Sequence, residues 1–472
     1  MLKADKSKAM SEKFNEYYPG GHSNLRIPSD VTGYRLFIQK AQGCHLTDVD
    51  GNEYIEFNGS LGPDILGHAY PEFANVLADF ILTNGTAIGS NMLFTPMDID
   101  VAELLRKYVP CAEAVKFTTS GTEAVEMAFR IMRAYTGKPR ILRLEGHYGG
   151  WADEILGGHM KPDKDGRPCI TFEDQGFSAE KDPYATHGRA PHAEDGVFMI
   201  PYNDFDALEE TFDKWHDEIA GIHFEGVNWD NNGLHPKPGY VEKIRELCDK
   251  YNVVMSMDEI ITGFRFGLGG AQEYLGVTPD ICTMGKAMGN MIPTSCVAGK
   301  KKIMDIVRDG YVLCPGTYPG YALGQMAVKT CIEILAKDDG AIYKRIWRLQ
   351  ERLMDGMVAL ADKYDIPLTI TESQGVFSTI FGIPGGRRRL YTKEDLEGFN
   401  GHWVTVFQQY MQQNGVFIMY GGRWYMTAAH RDEDIDTALA AIDKSFAAMK
   451  KNNMEFVPDD GTIELTNKTA AK

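Results

Sequence analysis

A chain of 472 residues, 43% apolar and 24% charged, is too long for one simple module and too apolar for a disordered one, so two or more packed domains are expected. Its 49 basic and 66 acidic side chains leave a formal charge of −17, which argues against a polyanion such as nucleic acid as the main partner; a local basic pocket can still hold a small anion. No run of about 18 apolar residues occurs, and the charged opening Met1-Leu2-Lys3-Ala4-Asp5-Lys6 leads into no signal-peptide core, so a soluble cytoplasmic protein is expected.

The first 60 or so residues read as an entry segment. Within it, His45-Leu46-Thr47 and Glu53-Tyr54-Ile55-Glu56-Phe57 flank Asp48-Val49-Asp50-Gly51-Asn52, two alternating runs around a turn cluster, which predicts a hairpin. From about residue 100 to 305 the pattern becomes strand, turn, helix, repeated. Val115-Lys116-Phe117-Thr118-Thr119 is a strand candidate, and after it Ala124, Met127, Ala128, Ile131 and Met132 fall at helical spacing. Further short apolar runs start at Ile141, Gly221, Val253 and Ile281, with Val241, Ile244, Leu247 and Cys248 helically spaced between two of them. Such alternation predicts an α/β protein with a mainly parallel sheet covered on both faces, its ligand site at the carboxyl ends of the strands. After about residue 310 long helices dominate. A helix over 399–413 stops at Asn414-Gly415, strands follow at Val416-Phe417-Ile418-Met419 and Trp424-Tyr425-Met426-Thr427, and a last helix carries Ile435, Leu439, Ile442, Phe446 and Met449. The expected division is an N-terminal segment, 1–65, a large domain, 66–312, and a smaller C-terminal α/β domain, 313–472. Beyond Asn452 the tail is polar and expected to be loosely ordered.

The eight cysteines are scattered, with no C-x-x-C pair, so neither a zinc site nor a disulfide framework is expected, and no metal is assigned. They read as small buried hydrophobes.

Three features carry possible chemistry. Ser120-Gly121-Thr122 lies at a strand-to-helix junction, where unpaired N–H groups, the helix dipole and two hydroxyls suit a phosphate; Ser120 is equally an ordinary N-cap. Asp258-Glu259 ends a largely apolar run, where a buried acid must cap the next helix or meet a cation. Lys286 follows an apolar strand between Gly285 and Gly289. An amine held there can lose proton affinity by desolvation, the condition for a Schiff-base nucleophile, although a solvated surface lysine also fits. A phosphate cradle, an Asp and a Lys at the strand ends of one sheet are more telling together than singly.

That combination resembles the class III, fold-type I pyridoxal-phosphate aminotransferases, and within them the branch containing glutamate-1-semialdehyde aminomutase. Its ordered motifs include Tyr18-Pro19-Gly20-Gly21, Gly67-His68-Ala69-Tyr70-Pro71, Ser120-Gly121-Thr122-Glu123-Ala124, Glu145-Gly146-His147-Tyr148, Asp258-Glu259-Ile260-Ile261-Thr262-Gly263-Phe264-Arg265 and Pro315-Gly316-Thr317. The resemblance implies pyridoxal 5'-phosphate as cofactor, small amino-acid and oxo-acid substrates, and a homodimer with shared active sites. It implies that Lys286 carries the cofactor as a Schiff base and moves the substrate proton, while Asp258 holds the ring nitrogen protonated. Tyr148 and Ile260 would lie on the two ring faces and Glu225 near the cofactor. Ser120, Gly121 and Thr122 would bind the phosphate, with Thr317 reaching it from the partner subunit.

The family pattern breaks in four places. Glu225-Gly226-Val227-Asn228-Trp229-Asp230-Asn231 has glycine where the branch has proline, and Asp230 where it has Asn. The common Tyr-His-Gly is Tyr148-Gly149-Gly150 here, with His147 on the other side. On the substrate side, Arg26 sits where the aminomutase resemblance implies a carboxylate-binding arginine. Tyr420-Gly421-Gly422-Arg423-Trp424 lacks the aminomutase glutamate and gains Arg423, a second carboxylate clamp or a surface arginine. The Gly-Ser-Gly gating loop has no counterpart between Trp151 and Tyr202; a polar stretch over 161–194 takes its place, as another lid or a plain surface loop. An aminomutase must retain its diamino intermediate, so the changed gate favours an intermolecular aminotransferase acting on a small amino acid, non-standard and β-amino acids included, with an aminomutase or a racemase as the rival.

Overall fold

The computed structural model describes residues 2–22, 34–84, 93–171, 186 and 188–457. They group into two compact units, one of Pro71–Ala341 with Leu390–Thr392, the other of Met1–Tyr70, Ile342–Arg389 and Lys393–Lys472. This grouping differs from the three-part division read from the sequence. The N-terminal hairpin shares a unit with the C-terminal part because strand Val416–Phe417 pairs in parallel with Glu53–Glu56, and helix Ala322–Ala336 goes with the large unit.

The large unit is built on seven strands: β1 (Ala114–Thr118), β2 (Arg140–Leu144), β3 (Val197–Ile200), β4 (Ile219–Glu225), β5 (Val254–Glu259), β6 (Ile281–Met284) and β7 (Ser295–Gly299). Their order across the sheet is β1-β7-β6-β5-β4-β2-β3. Only β7 runs antiparallel to its neighbours, so the mainly parallel sheet expected from the sequence is present. Every residue of β4, β5 and β6 is buried, as a sheet covered on both faces requires. Helix Gly121–Thr136 packs on one face with Ala124, Met127, Ala128, Ile131 and Met132 buried, the residues whose spacing predicts it. Its approach is close: a Cβ at Gly221 of β4 would lie 2.1 Å from Met132 Sδ, so only glycine fits there. Helix Tyr240–Tyr251 buries Val241, Ile244, Leu247 and Cys248.

In the other unit the predicted hairpin pairs His45–Asp48 with Glu53–Glu56 in antiparallel register, Leu46 opposite Tyr54. Asp48 Oδ1 accepts the N–H groups of Asp50 and Asn52 across the turn, and Asp50 in turn accepts from Lys6 and Ser7 at the start of helix Asp5–Tyr17. A second sheet joins Leu368–Ser373, Val376–Phe381 and Arg423–Tyr425, of which only the last overlaps a run read as a strand from sequence, Trp424-Tyr425-Met426-Thr427. Helix Gly401–Gln413 starts where Asn400 Oδ1 accepts the Trp403 N–H, and Asp432–Lys451 is the final helix. Six of the eight cysteines are buried. Among the described residues no helix is long and apolar enough to cross a membrane.

Candidate active site

In a parallel sheet the strand ends and the helix starts that follow them share one edge. Here that edge carries a pocket of about 650 Å³, counting the part open to solvent, lined by Gly121, Thr122, Tyr148, Gly149, Gly150, Glu225, Asp230, Asp258, Ile260, Ile261, Lys286 and Ser295. Seven of the residues singled out from sequence therefore meet in one cavity: Gly121, Thr122, Tyr148, Glu225, Asp258, Ile260 and Lys286.

Gly121 and Thr122 open the helix that follows β1, where N–H groups lack intrahelical partners by position. Ser120 is the N-cap, its Oγ accepting from Glu123 N–H while the Glu123 carboxylate accepts from Thr119 and Ser120. The capping reading of Ser120 thus holds in full, and its neighbours supply the pocket wall. Lys286 begins the turn after β6 with φ +45°, a left-handed backbone uncommon for a residue with a Cβ. Gly285 before it cannot be enlarged freely, since a Cβ would lie 2.6 Å from Ser295 Oγ and 3.2 Å from Ile260 Cδ1.

The two acids that close β5 point to opposite faces and divide the two roles read for them. Glu259 is the cap: its buried carboxylate accepts from Thr262 Oγ1, Ala271 N–H at 2.8 Å and Gln272 N–H at 3.0 Å. Asp258 lines the pocket. Its Oδ1 accepts the Ile260 N–H at 2.8 Å, and its Oδ2 lies 3.2 Å from His147 Nε2 and 3.3 Å from His223 Nε2. Burial pushes this carboxyl up, but the two imidazoles outweigh it and hold it well below the usual carboxylate range. Tyr148 is moved upward by burial and then by the charge of Asp230.

The remaining expectations fall elsewhere. Arg26 lies outside the described residues, as does most of 172–187 within the segment read as a lid. Thr317 is exposed on the stretch before helix Ala322–Ala336 and does not line the pocket. Arg423 opens strand Arg423–Tyr425 of the other unit, with Nη1 3.2 Å from Tyr425 Oη. Asp230, which stands where the branch has Asn, lines the cavity, whereas the neighbouring Asn231 does not. Ser295 was missed because β7 is antiparallel: its first residue shares the edge where its neighbours end. His223 carried a readable signal, a polar residue in an apolar strand two places before Glu225 and so on the same face.

The residues at this edge fit pyridoxal phosphate. Helix-start N–H groups suit a dianionic phosphate, an amine suits an aldehyde, and a carboxylate suits a protonated ring nitrogen. Gly150 shapes the wall, since a Cβ there would meet Thr122 Oγ1 at 2.6 Å.

Comparisons with known proteins agree. The sequence profile described as aminotransferase class-III matches residues 27–446. Glutamate-1-semialdehyde 2,1-aminomutase 2 of Brevibacillus brevis is 33% identical over 456 residues, covering 95% of this chain and 99% of that protein. An omega-transaminase from Sphaerobacter thermophilus superposes with a TM-score of 0.81 at 24% identity, covering 93% of this chain and 96% of the other. A β-phenylalanine aminotransferase from Variovorax paradoxus gives 0.77 at 22% identity, covering 94% of each chain. The profile match over most of the sequence, on a fold-type I scaffold, means that the chain belongs to the class-III aminotransferases and is a pyridoxal-phosphate-dependent enzyme.

Proposed function

We propose that this enzyme moves an amino group between a small amino acid, β-amino or otherwise non-standard acids included, and an oxo acid, and that it works in the cytoplasm as a homodimer. The observation that carries the reading is the meeting of Lys286, Asp258, Gly121 and Thr122 at one sheet edge. Pyridoxal phosphate, when bound, supplies the electron sink that stabilises negative charge at the substrate's amino-bearing carbon. Lys286 Nζ is the amine that would hold the cofactor, and it would also carry a proton to and from that carbon. Asp258 holds the proton on the ring nitrogen. Tyr148 and Ile260 fix the ring plane, and Glu225 borders it. Ser120, Gly121 and Thr122 anchor the phosphate, Thr317 adding a contact from a second copy. Arg26 and Arg423 bind substrate carboxylates. The homodimer reading is supported by the exposed Leu82, Phe94, Ile99, Tyr311, Leu313 and Tyr318 of the large unit, large apolar side chains that a second copy would cover.

A second reading, the intramolecular aminomutase, is favoured by the 33% identity to an aminomutase. Near-visible absorption of the purified holoenzyme separates the two. On the transaminase reading, one class among α-, β- and ω-amino acids bleaches the bound-cofactor band and an oxo acid restores it. Sustained turnover of a single substrate with no oxo acid added would establish the aminomutase or a racemase instead.

A further inference from the structure

Strands β4 and β5 are buried along their whole length, and apart from their terminal acids only His223 and Ser256 interrupt their apolar side chains with polar ones. The two stand opposite each other in register, as do Glu225 and Asp258, so all four side chains project from one face of the sheet. His223 is 1% exposed and Ser256 0%. Burying a hydroxyl and an imidazole costs free energy unless they are hydrogen-bonded, and here they bond to each other, Ser256 Oγ to His223 Nδ1 at 2.9 Å.

That bond fixes the histidine. Burial outweighs the pull of Asp258 and pushes His223 below its usual range. Ser256 Oγ–H can donate to Nδ1, which puts the ring proton on Nε2; that atom faces Asp258 Oδ2 at 3.3 Å, off the line of a hydrogen bond. His147 arrives from the loop after β2 and faces the same oxygen through its own Nε2 at 3.2 Å. Its Nδ1 is buried with no hydrogen-bond partner. A proton on Nδ1 would be buried without an acceptor, so Nε2 is the nitrogen that directs an N–H at Asp258. The loop is pinned by Arg143, whose Nη2 donates to the His147 carbonyl at 3.3 Å and whose Nη1 donates to Gly157 O at 3.1 Å. Phe129 closes the far side of His223, edge to face at 5.4 Å.

We propose that His147, His223 and Ser256 are positioning residues for the reaction: two neutral imidazoles, one held in its tautomer by the serine, clamp one oxygen of Asp258 while Ile260 N–H sets the other, so that Asp258 stays a carboxylate and keeps the proton on the cofactor's ring nitrogen. A carboxylate that accepts the Ile260 N–H and is hydrogen-bonded to His147, with a second imidazole facing the same oxygen, stays ionised without any added positive charge. It needs such help, because Glu225 stands beside it in register and Asp230 and Glu225 share its pocket, with Lys286 the one amine among the described residues lining the same cavity. The inference rests on the proposed pairing of Asp258 with the ring nitrogen.

The test uses holoenzyme reconstituted with pyridoxal phosphate carrying 15N in the ring, and reads the ring-nitrogen chemical shift from pH 6 to 9. Wild type is expected to stay protonated throughout. The variant H147L/H223L should lose proton affinity at the ring nitrogen by tenfold or more, S256A should fall between, and H147N, which restores an amide donor, should return close to wild type. A cofactor-loaded double variant whose ring nitrogen titrates like wild type overturns the clamp. Should that variant fail to fold, S256A and the 15N shifts of the wild-type histidines decide, and an imidazolium at either position at pH 7 refutes the proposal. D258N keeps the two readings apart. If it too leaves the ring protonated, the Asp258 pairing is wrong; if it alone removes the proton, only the clamp is.

Discussion

Gly285 tests whether the backbone in front of Lys286 is tuned to the pocket. Its φ of −177° is extended backbone open to any residue, so a substitution there acts through contact alone. In Gly285→Ala the new Cβ would stand 2.6 Å from Ser295 Oγ, where ordinary contact begins at 3.4 Å, and 3.2 Å from Ile260 Cδ1. Both neighbours line the cavity, and both atoms are ends of side chains that can turn away. The fold therefore survives, while the pocket wall moves by somewhat under an ångström. Overpacking of this size costs about 1–3 kcal/mol. If that cost falls on the bound state, cofactor affinity drops by about 5- to 150-fold. Spectroscopic titration of the apoenzyme with pyridoxal phosphate measures it, and a double-mutant cycle assigns it. Ser295→Ala removes the clashing oxygen, so G285A/S295A should recover much of the loss, with a coupling energy of about 1 kcal/mol or more. A cycle in which the two changes simply add would refute the argument that Gly285 is required by Ser295.

Other outcomes follow from the same geometry. Gly150→Ala should impair cofactor binding more than Gly285→Ala, because its φ is +129° and its Cβ would strike the Thr122 backbone at 2.9 Å as well as Oγ1 at 2.6 Å; titration with the cofactor ranks the two. Ser120→Ala removes the N-cap acceptor of helix Gly121–Thr136 and should cost about 1 kcal/mol in urea unfolding, with a further loss of cofactor affinity if the hydroxyl also donates to phosphate. Asp280 accepts from Lys300 Nζ at 2.6 Å, Arg245 Nη1 at 2.9 Å and Met255 N–H at 2.8 Å. Burial raises this carboxyl, but the lysine and arginine overcome that and hold it below its usual range. A depressed acid gives stability that is fully present above its unfolded value of about 3.9 and is lost as pH falls through the lower folded one. Asp280→Asn should therefore cost about 3 kcal/mol at neutral pH, at the low end for a buried pair because Lys300 is partly exposed, and should flatten the acid limb of thermal stability.

Much of the site was legible because parallel α/β sheets collect function at one edge. Gly121, Asp258 and Lys286 each follow an apolar run, and the run alone places them. What stayed hidden depends on pairings across the sequence. Nothing local announces that Ser295–Gly299 runs against its neighbours, yet that reversal brings Ser295 beside Gly285. Likewise Val416–Phe417 is a two-residue strand whose partner lies some 360 residues earlier, and this pairing, invisible to periodicity, joins the N-terminal hairpin to the C-terminal part. The strands Leu368–Ser373 and Val376–Phe381 carry Thr, Glu and Ser among their apolar residues, which blurred the alternation that marks a strand.

The Asp258-Glu259 pair shows why one dipeptide supported two readings. Strand pleating sends neighbouring side chains to opposite faces, so each acid meets a separate set of donors although their backbones are joined. Glu259 receives the starting N–H groups of helix Gly270–Leu275 and ties that helix to the strand end. Asp258 accepts one N–H, is hydrogen-bonded to His147 and faces His223, which leaves it charged within a pocket wall. Glu259 thus anchors the local structure that Asp258 needs to stay in place. The double substitution Asp258→Glu with Glu259→Asp would keep the composition and the charge, but would lengthen the pocket acid into its own donors and withdraw the cap from Ala271 and Gln272. Both functions should be lost together, which makes the order of the two residues, rather than their acidity, the property on which the site depends.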